Sequence, residues 1–155
     1  KRVDRMEANE AVNVPNLSLK FFVILSRAFR SVNERVEEDV KGYGLNLTEF
    51  AVLELLYHKG DQPIQHIGKK VLLSSGSITY VVDKLEKKNY ISRKPCPKDR
   101  RVTWASITEE GKQFMDTIFP KHEQAIEEIV GVLSDSEKEE MMVLLKKLGY
   151  HADKL

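Results

Sequence analysis

The residues with the most chemistry to offer lie in one stretch of the chain. Ser74, Ser75, Ser77, Thr79 and Tyr80 supply closely spaced hydroxyls, Lys84 adds an ammonium group one turn on, and Asp99-Arg100-Arg101 sets two guanidinium groups behind a carboxylate. Hydroxyls at the start of a helix accept its unbonded amides, and a helix amino terminus also attracts phosphate. Small polar side chains there can reach base edges in a major groove about 12 Å wide. Arginines on a narrow projection can enter the electronegative minor groove. For each serine the plain alternative is a helix cap and nothing more.

Cys96 stands between Pro95 and Pro97, with Lys94, Lys98 and Arg100 close by. Cations favour the thiolate, so a redox or electrophile sensor is one reading of Cys96 and an incidental surface thiol the other. His58, His66, His122 and His151 form no compact ligand motif, and His122, Glu123 and Glu127 would diverge around a helix, so no metal site is expected. No G-x-S-x-G, Gly-rich phosphate loop or H-E-x-x-H occurs, and Glu37-Glu38 and Glu139-Glu140 read as solvated faces. The chain is read as a non-enzyme without a cofactor.

The 155 residues are 41% hydrophobic and 32% charged, enough for a sizeable core. A single cysteine rules out an intramolecular disulfide. No apolar run is longer than Phe21 to Leu25, far short of the roughly 20 residues that span a bilayer. The first 14 residues hold no apolar signal core. A cytoplasmic protein without a membrane partner is therefore expected. Net charge is only +1, but residues 59–101 carry 11 Lys+Arg against 4 Asp+Glu, while 102–155 carry 6 against 11. A basic centre between neutral and acidic flanks suits a local polyanion-binding surface; an ordinary solvated face is the alternative.

The elements that must position these groups follow from periodicity and caps. Leu17, Phe21, Leu25, Ala28, Val32, Val36 and Val40 mark a long first helix ending at Gly42-Tyr43-Gly44, and Phe22, Ile24 and Phe29 off that stripe point to a second packing partner. Asn46-Leu47-Thr48-Glu49 reads as a capping box before a helix closing near Gly60. Ile64, Ile67 and Val71 give a third, two-turn helix. A fourth opens at Ser74 to Ser77 with Ile78, Val81, Val82 and Leu85 as its core face, and Asn89 is a left-handed stop. Its opposite face carries Ser77, Thr79, Tyr80, Lys84, Lys87 and Lys88, the last two read as solvated or loosely phosphate-proximal. Residues 90–93 and 102–107 form a hairpin with Trp104 packed beneath it. Thr108 caps a helix through Phe114, Ile118, Ile126, Ile129 and Val130, bent at Pro120, and Ser134 opens a last helix closing near Gly149.

A short helix, a turn, a hydroxyl-rich helix and a basic hairpin make a winged helix-turn-helix. The stretch resembles the MarR family of bacterial transcription regulators. The resemblance rests on Leu47-Thr48-Glu49-Phe50, on Ser77 through Ile91, on Asp99-Arg100-Arg101 and on Ile107-Thr108-Glu109-Glu110-Gly111, with Asn89 where glycine is usual. It implies a mainly α fold with a small β-hairpin wing, a DNA-binding domain over 45–111, and a helical dimerisation region from 1–44 and 112–155. It further implies a homodimer on a pseudo-palindromic double-stranded operator. Ser74, Ser75, Ser77, Thr79, Tyr80 and Lys84 would be groove and backbone contacts, with Arg100 and Arg101 in the wing and Asp99 orienting Arg101. The family likeness also suggests a repressor released by a small aromatic or phenolic ligand, with Phe22, Phe29 and Phe50 as candidate pocket residues and plain core as the alternative. Other readings are a thiol sensor acting through Cys96, and a winged helix used for protein–protein contact.

Overall fold

A computed structural model describes residues 16–71 and 75–155. The described elements are α1 (Leu17–Lys41), α2 (Leu47–Lys59), β1 (Gln62–Pro63), α3 (Ile64–Lys70), α4 (Ser75–Lys87), β2 (Ile91–Pro95), β3 (Thr103–Ile107), α5 (Glu109–Val130) and α6 (Asp135–Ala152). The chain divides between Arg35 and Val36 into two compact units. In the first, Phe21, Phe22, Ile24 and Phe29 are all exposed.

The second unit holds the core. From α4 it takes Ile78, Val81, Val82 and Leu85, as the helical spacing predicts; α2 adds Phe50, Val52, Leu53 and Leu56, and α3 adds Ile67. The capping box of α2 is formed: the Glu49 amide donates to Asn46 Oδ1 at 2.8 Å, and the Asn46 amide donates to Glu49 Oε1 at 3.1 Å. Such a cap is worth about 1 kcal/mol. The seven-residue α3 has no side-chain cap, so packing of the fully buried Ile67 must hold it.

The wing belongs to a three-stranded antiparallel sheet of order β1-β3-β2, not to a bare hairpin. Ile91 pairs with Ile107 and Pro95 with Thr103, while Gln62 and Pro63 pair with Ala105 and Trp104. The two-residue β1 leaves no alternating pattern to read, and proline is tolerated on a sheet edge. Ala105 and Ile107 turn into the core.

Asn89 has φ of 64°, the left-handed stop its type suggests. The chain is then fastened to the start of α5. Thr108 donates its amide to the Tyr90 carbonyl at 3.0 Å and its hydroxyl to the Asn89 carbonyl at 2.6 Å, while accepting the Gly111 amide at 2.9 Å. A Cβ on Gly111 would stand 2.2 Å from the Tyr90 oxygen, so only glycine fits.

Two helices depart from the periodicity reading. Gly111, Met115, Ile118 and His122 form the buried stripe of α5, which continues through Pro120; Phe114, Ile126, Ile129 and Val130 are only half-buried. The last helix, α6, runs past Gly149 to Ala152 because a single glycine lowers helix stability without ending it. Met141, Met142, Val143, Leu144, Leu145, Leu148 and Tyr150 on α6 are exposed.

Gly111→Ala is expected to destabilise the fold by about 1–3 kcal/mol, the usual cost of overpacking. Urea unfolding checks this: the midpoint should fall with the slope unchanged.

Candidate nucleic-acid interface

The outward face of α4 carries Thr79 and Tyr80, both exposed. The Lys84 ammonium lies 5.2 Å from the centre of the Tyr80 ring, a cation–π contact that presents the two side chains together. Ser74 lies outside the described residues, and so do the side chains of Ser75 and Ser77.

At the wing tip Arg101 is held by Asp99 as anticipated. Its backbone amide donates to Asp99 Oδ1 at 3.0 Å, Nε to the same oxygen at 3.2 Å, and Nη2 to Oδ2 at 3.4 Å. The Arg101 backbone amide, and then its guanidinium, hold the Asp99 carboxyl below the usual carboxylate range. The Arg101 side chain is nevertheless 91% exposed, an oriented cation open to a polyanion. Arg100 beside it is also exposed.

The Cys96 thiol is shifted toward thiolate, but not by the lysines and arginine around it. The amides of Lys98 and Asp99 contribute most, and Trp104 adds a side-chain hydrogen bond. Half-buried Trp104 thus supports the wing and also donates to the sulfur.

Two anchors of α4 were not legible in the sequence. Arg93 on β2 reaches back to α4, with Nη2 2.5 Å from Asp83 Oδ1 and Nη1 2.9 Å from Glu86 Oε1. Its one available signal was a pair of carboxylates, three apart, on a helix otherwise rich in lysine. Lys88 is not the solvated cation its position suggests. Its Nζ donates to Glu49 Oε2 at 2.9 Å and to the Gly44 carbonyl at 3.0 Å, and Glu49 is buried. The carboxylate that closes the cap of α2 therefore also holds the end of α4.

Phe50 is buried, its ring 4.4 Å from that of His122, while Phe22 and Phe29 are exposed in the unit that ends at Arg35. His122 is a core residue whose Nδ1 lies 2.8 Å from Asp39 Oδ2; Tyr43 donates to Asp39 Oδ1 at 2.6 Å. Burial, then this hydrogen bond, pushes the Tyr43 hydroxyl well above its ordinary value. Tyr57, His58 and Phe119 extend the rings between α2 and α5. Tyr57 also donates to Asp116, which raises its hydroxyl pKa. Among the described residues no cluster could hold a metal ion, and no helix is long and apolar enough to cross a membrane.

Comparison with known proteins agrees with this geometry. The MarR family model matches residues 45–103. The chain is 57% identical over 135 residues to the HTH-type transcriptional regulator MhqR of Bacillus subtilis, covering 87% of this chain and 93% of that protein. The crystal structure of AbsC, a MarR family regulator from Streptomyces coelicolor, has a TM-score of 0.84 at 19% identity, over 92% of this chain and 98% of that one. Sco3205 from the same organism, a MarR family regulator solved in complex with DNA, has a TM-score of 0.80 at 17% identity, over 86% and 90%. At these identities the two structures show the shared fold.

The Cys96 thiol is expected to titrate below the ordinary range of a free cysteine, so its alkylation by iodoacetamide should reach half its maximal rate at a lower pH than that of a free thiol. Trp104→Phe removes a donor to the sulfur and should move that midpoint upward. An unshifted midpoint would show that the indole does not act on the thiolate.

Proposed function

The chain belongs to the MarR family of transcriptional regulators, and we propose that it acts as a homodimeric repressor on a pseudo-palindromic double-stranded operator. In this reading residues 45–111 bind DNA, while 1–44 and 112–155 form the dimerisation region. It is a regulator, not an enzyme.

The observation that carries the reading is the pairing of two outward polar surfaces. On α4, Thr79 and Tyr80 stand exposed beside Lys84, with Ser74, Ser75 and Ser77 at the helix start assigned to the same groove. On the wing, Arg101 is aimed by Asp99 yet solvent-open, with Arg100 next to it. A recognition helix for the major groove and an arginine for the minor groove supply direct and shape readout together. The exposed apolar residues of α6, and separately Phe22 and Phe29 of α1, support dimerisation, since exposed large apolar side chains in such number call for a partner.

A small aromatic or phenolic effector is the proposed releasing ligand. The rings of Tyr57, His58 and Phe119 between α2 and α5, which are not buried, are the surface it would stack on. A second reading, favoured by the lowered thiol of Cys96, is release by oxidation or alkylation at the wing.

Arg101→Ala should weaken operator binding by about 1–3 kcal/mol and lower the salt slope by about one, with the dimer intact. Operator fragments recovered by selection at two salt concentrations, then footprinted, supply the DNA. Unchanged affinity in the variant, or no enrichment by the folded dimer at low salt, would favour a protein-contact role instead. Leu145→Glu should convert the dimer to monomer in sedimentation velocity and abolish footprints on paired half-sites.

A further inference from the structure

Lys88 and Arg93 belong to the basic stretch of the chain, yet each cation is already committed to partners within the fold. The Lys88 ammonium spends two of its three donors on Glu49 Oε2 and on the Gly44 carbonyl, at the start of α2 and in the turn before it. Glu49 is only 3% exposed, so moving that ammonium to a phosphate would leave a buried carboxylate without its counter-ion. Arg93 on β2 divides its guanidinium fork between Asp83 and Glu86, one turn apart on α4. Both attachments fall at the carboxyl-terminal end of α4, one made to α2 and the other to the wing strand. The exposed Thr79 and Tyr80 lie a turn and more before them.

What such fastening does follows from the difference between two modes of DNA binding. Attraction to phosphates is electrostatic, depends weakly on orientation and supplies essentially all sequence-independent affinity. Base edges are read by directional hydrogen bonds, which need the helix held at one angle in the groove. We infer that Lys88 and Arg93 are positioning residues that determine specificity. They fix α4 against α2 and against the wing strand, so that helix and wing meet one operator in register, and they add little to attraction for DNA in general. This role rests on the DNA-binding reading proposed above.

The test compares, in the full dimeric protein, affinity for the selected operator with affinity for a scrambled duplex of the same length and composition. Lys88→Met and Arg93→Met should each lower operator affinity roughly tenfold, about the effect of one mismatched base pair, with a much smaller loss on the scrambled duplex. Lys87→Met, the same loss of charge at an exposed neighbour, gives the effect of charge alone and should leave the ratio of the two affinities unchanged. Because Lys88→Met strands Glu49, the double variant Lys88→Met, Glu49→Gln is measured beside it; it has no stranded charge, keeps an oxygen for the Asn46 amide and should show the same fall in the ratio. Arg93 acts through Asp83 and Glu86, so Arg93→Met should cost little further specificity once Asp83→Asn and Glu86→Gln are in place. Equal losses on the two duplexes, or an undiminished Arg93→Met effect without the carboxylates, would show these cations to be phosphate contacts and overturn the inference.

A readout without DNA separates this inference from the operator reading. The amides of Asn89 and Tyr90 close the end of α4 on the Glu86 and Leu85 carbonyls at 3.0 and 3.1 Å. Followed by NMR, they should exchange with solvent faster in the Lys88→Met, Glu49→Gln protein than in the parent, because local opening there no longer has to break the anchor. Unchanged exchange would overturn the anchoring whether or not an operator is found. Faster exchange in a chain that enriches no operator would sink the operator reading, and the specificity role with it.

Discussion

The direction of α4 and of the wing depends on how closely the first turn of α5 lies against the Tyr90 carbonyl. Only a residue without a side chain can stand at position 111, where a Cβ would overlap the Tyr90 oxygen and crowd Ile107. One hydroxyl, that of Thr108, then donates to Asn89 and accepts from Gly111. The left-handed turn at Asn89, the entry of β2 and the start of α5 are thereby joined at one point. Tyr90 and Phe114 stack over it at 4.4 Å and 11°. The exit of α4 is consequently referenced to α5, an element that runs through the core and beyond it.

What could be read directly from residue order was whatever depends on near neighbours. Asn46 and Glu49, or Ser134 and Glu137, are three apart, so their capping boxes are visible in the letters and present in the fold. Ile78, Val81, Val82 and Leu85 define a buried face by spacing alone. Asp99 is two residues from Arg101, close enough for its role to be named in advance. Lys88 and Glu49, by contrast, are 39 residues apart, and His122 and Asp39 are 83 apart. A lysine on a polar helix face looks the same whether it meets water or a buried carboxylate. The cause of the Cys96 shift was hidden for a related reason: backbone amides and an indole act on the sulfur, and amides carry no signature in side-chain composition.

The charge of α4 divides by function. Asp83 and Glu86 are spent on Arg93, and Lys88 on Glu49, so these charges set the orientation of the helix. Thr79, Tyr80 and Lys84 remain outward. The basic excess of residues 59–101 therefore overstates the cations open to a polyanion, because Arg93 and Lys88 are already engaged. The wing keeps a larger share, since Arg101 is oriented by its carboxylate without being covered by it.

The anchors of α4 also differ in stiffness. The carboxylates facing Arg93 are about half exposed, and pairs of that kind contribute at most about 1 kcal/mol each. Glu49 is buried, so pulling Lys88 away would strand a carboxylate at a cost of order 3 kcal/mol. At 1.5 Å per residue the 13-residue helix is roughly 20 Å long, so a tilt of about 10° at the Lys88 end moves the serine-bearing end by about 3 Å. Hydrogen bonds to base edges tolerate only a few tenths of an ångström. On the proposed DNA-binding role of α4, movement at the anchored end is therefore sufficient to break groove contacts. A ligand that favours one setting of the Glu49–Lys88 anchor need contribute only its difference in affinity between the two settings to change DNA binding.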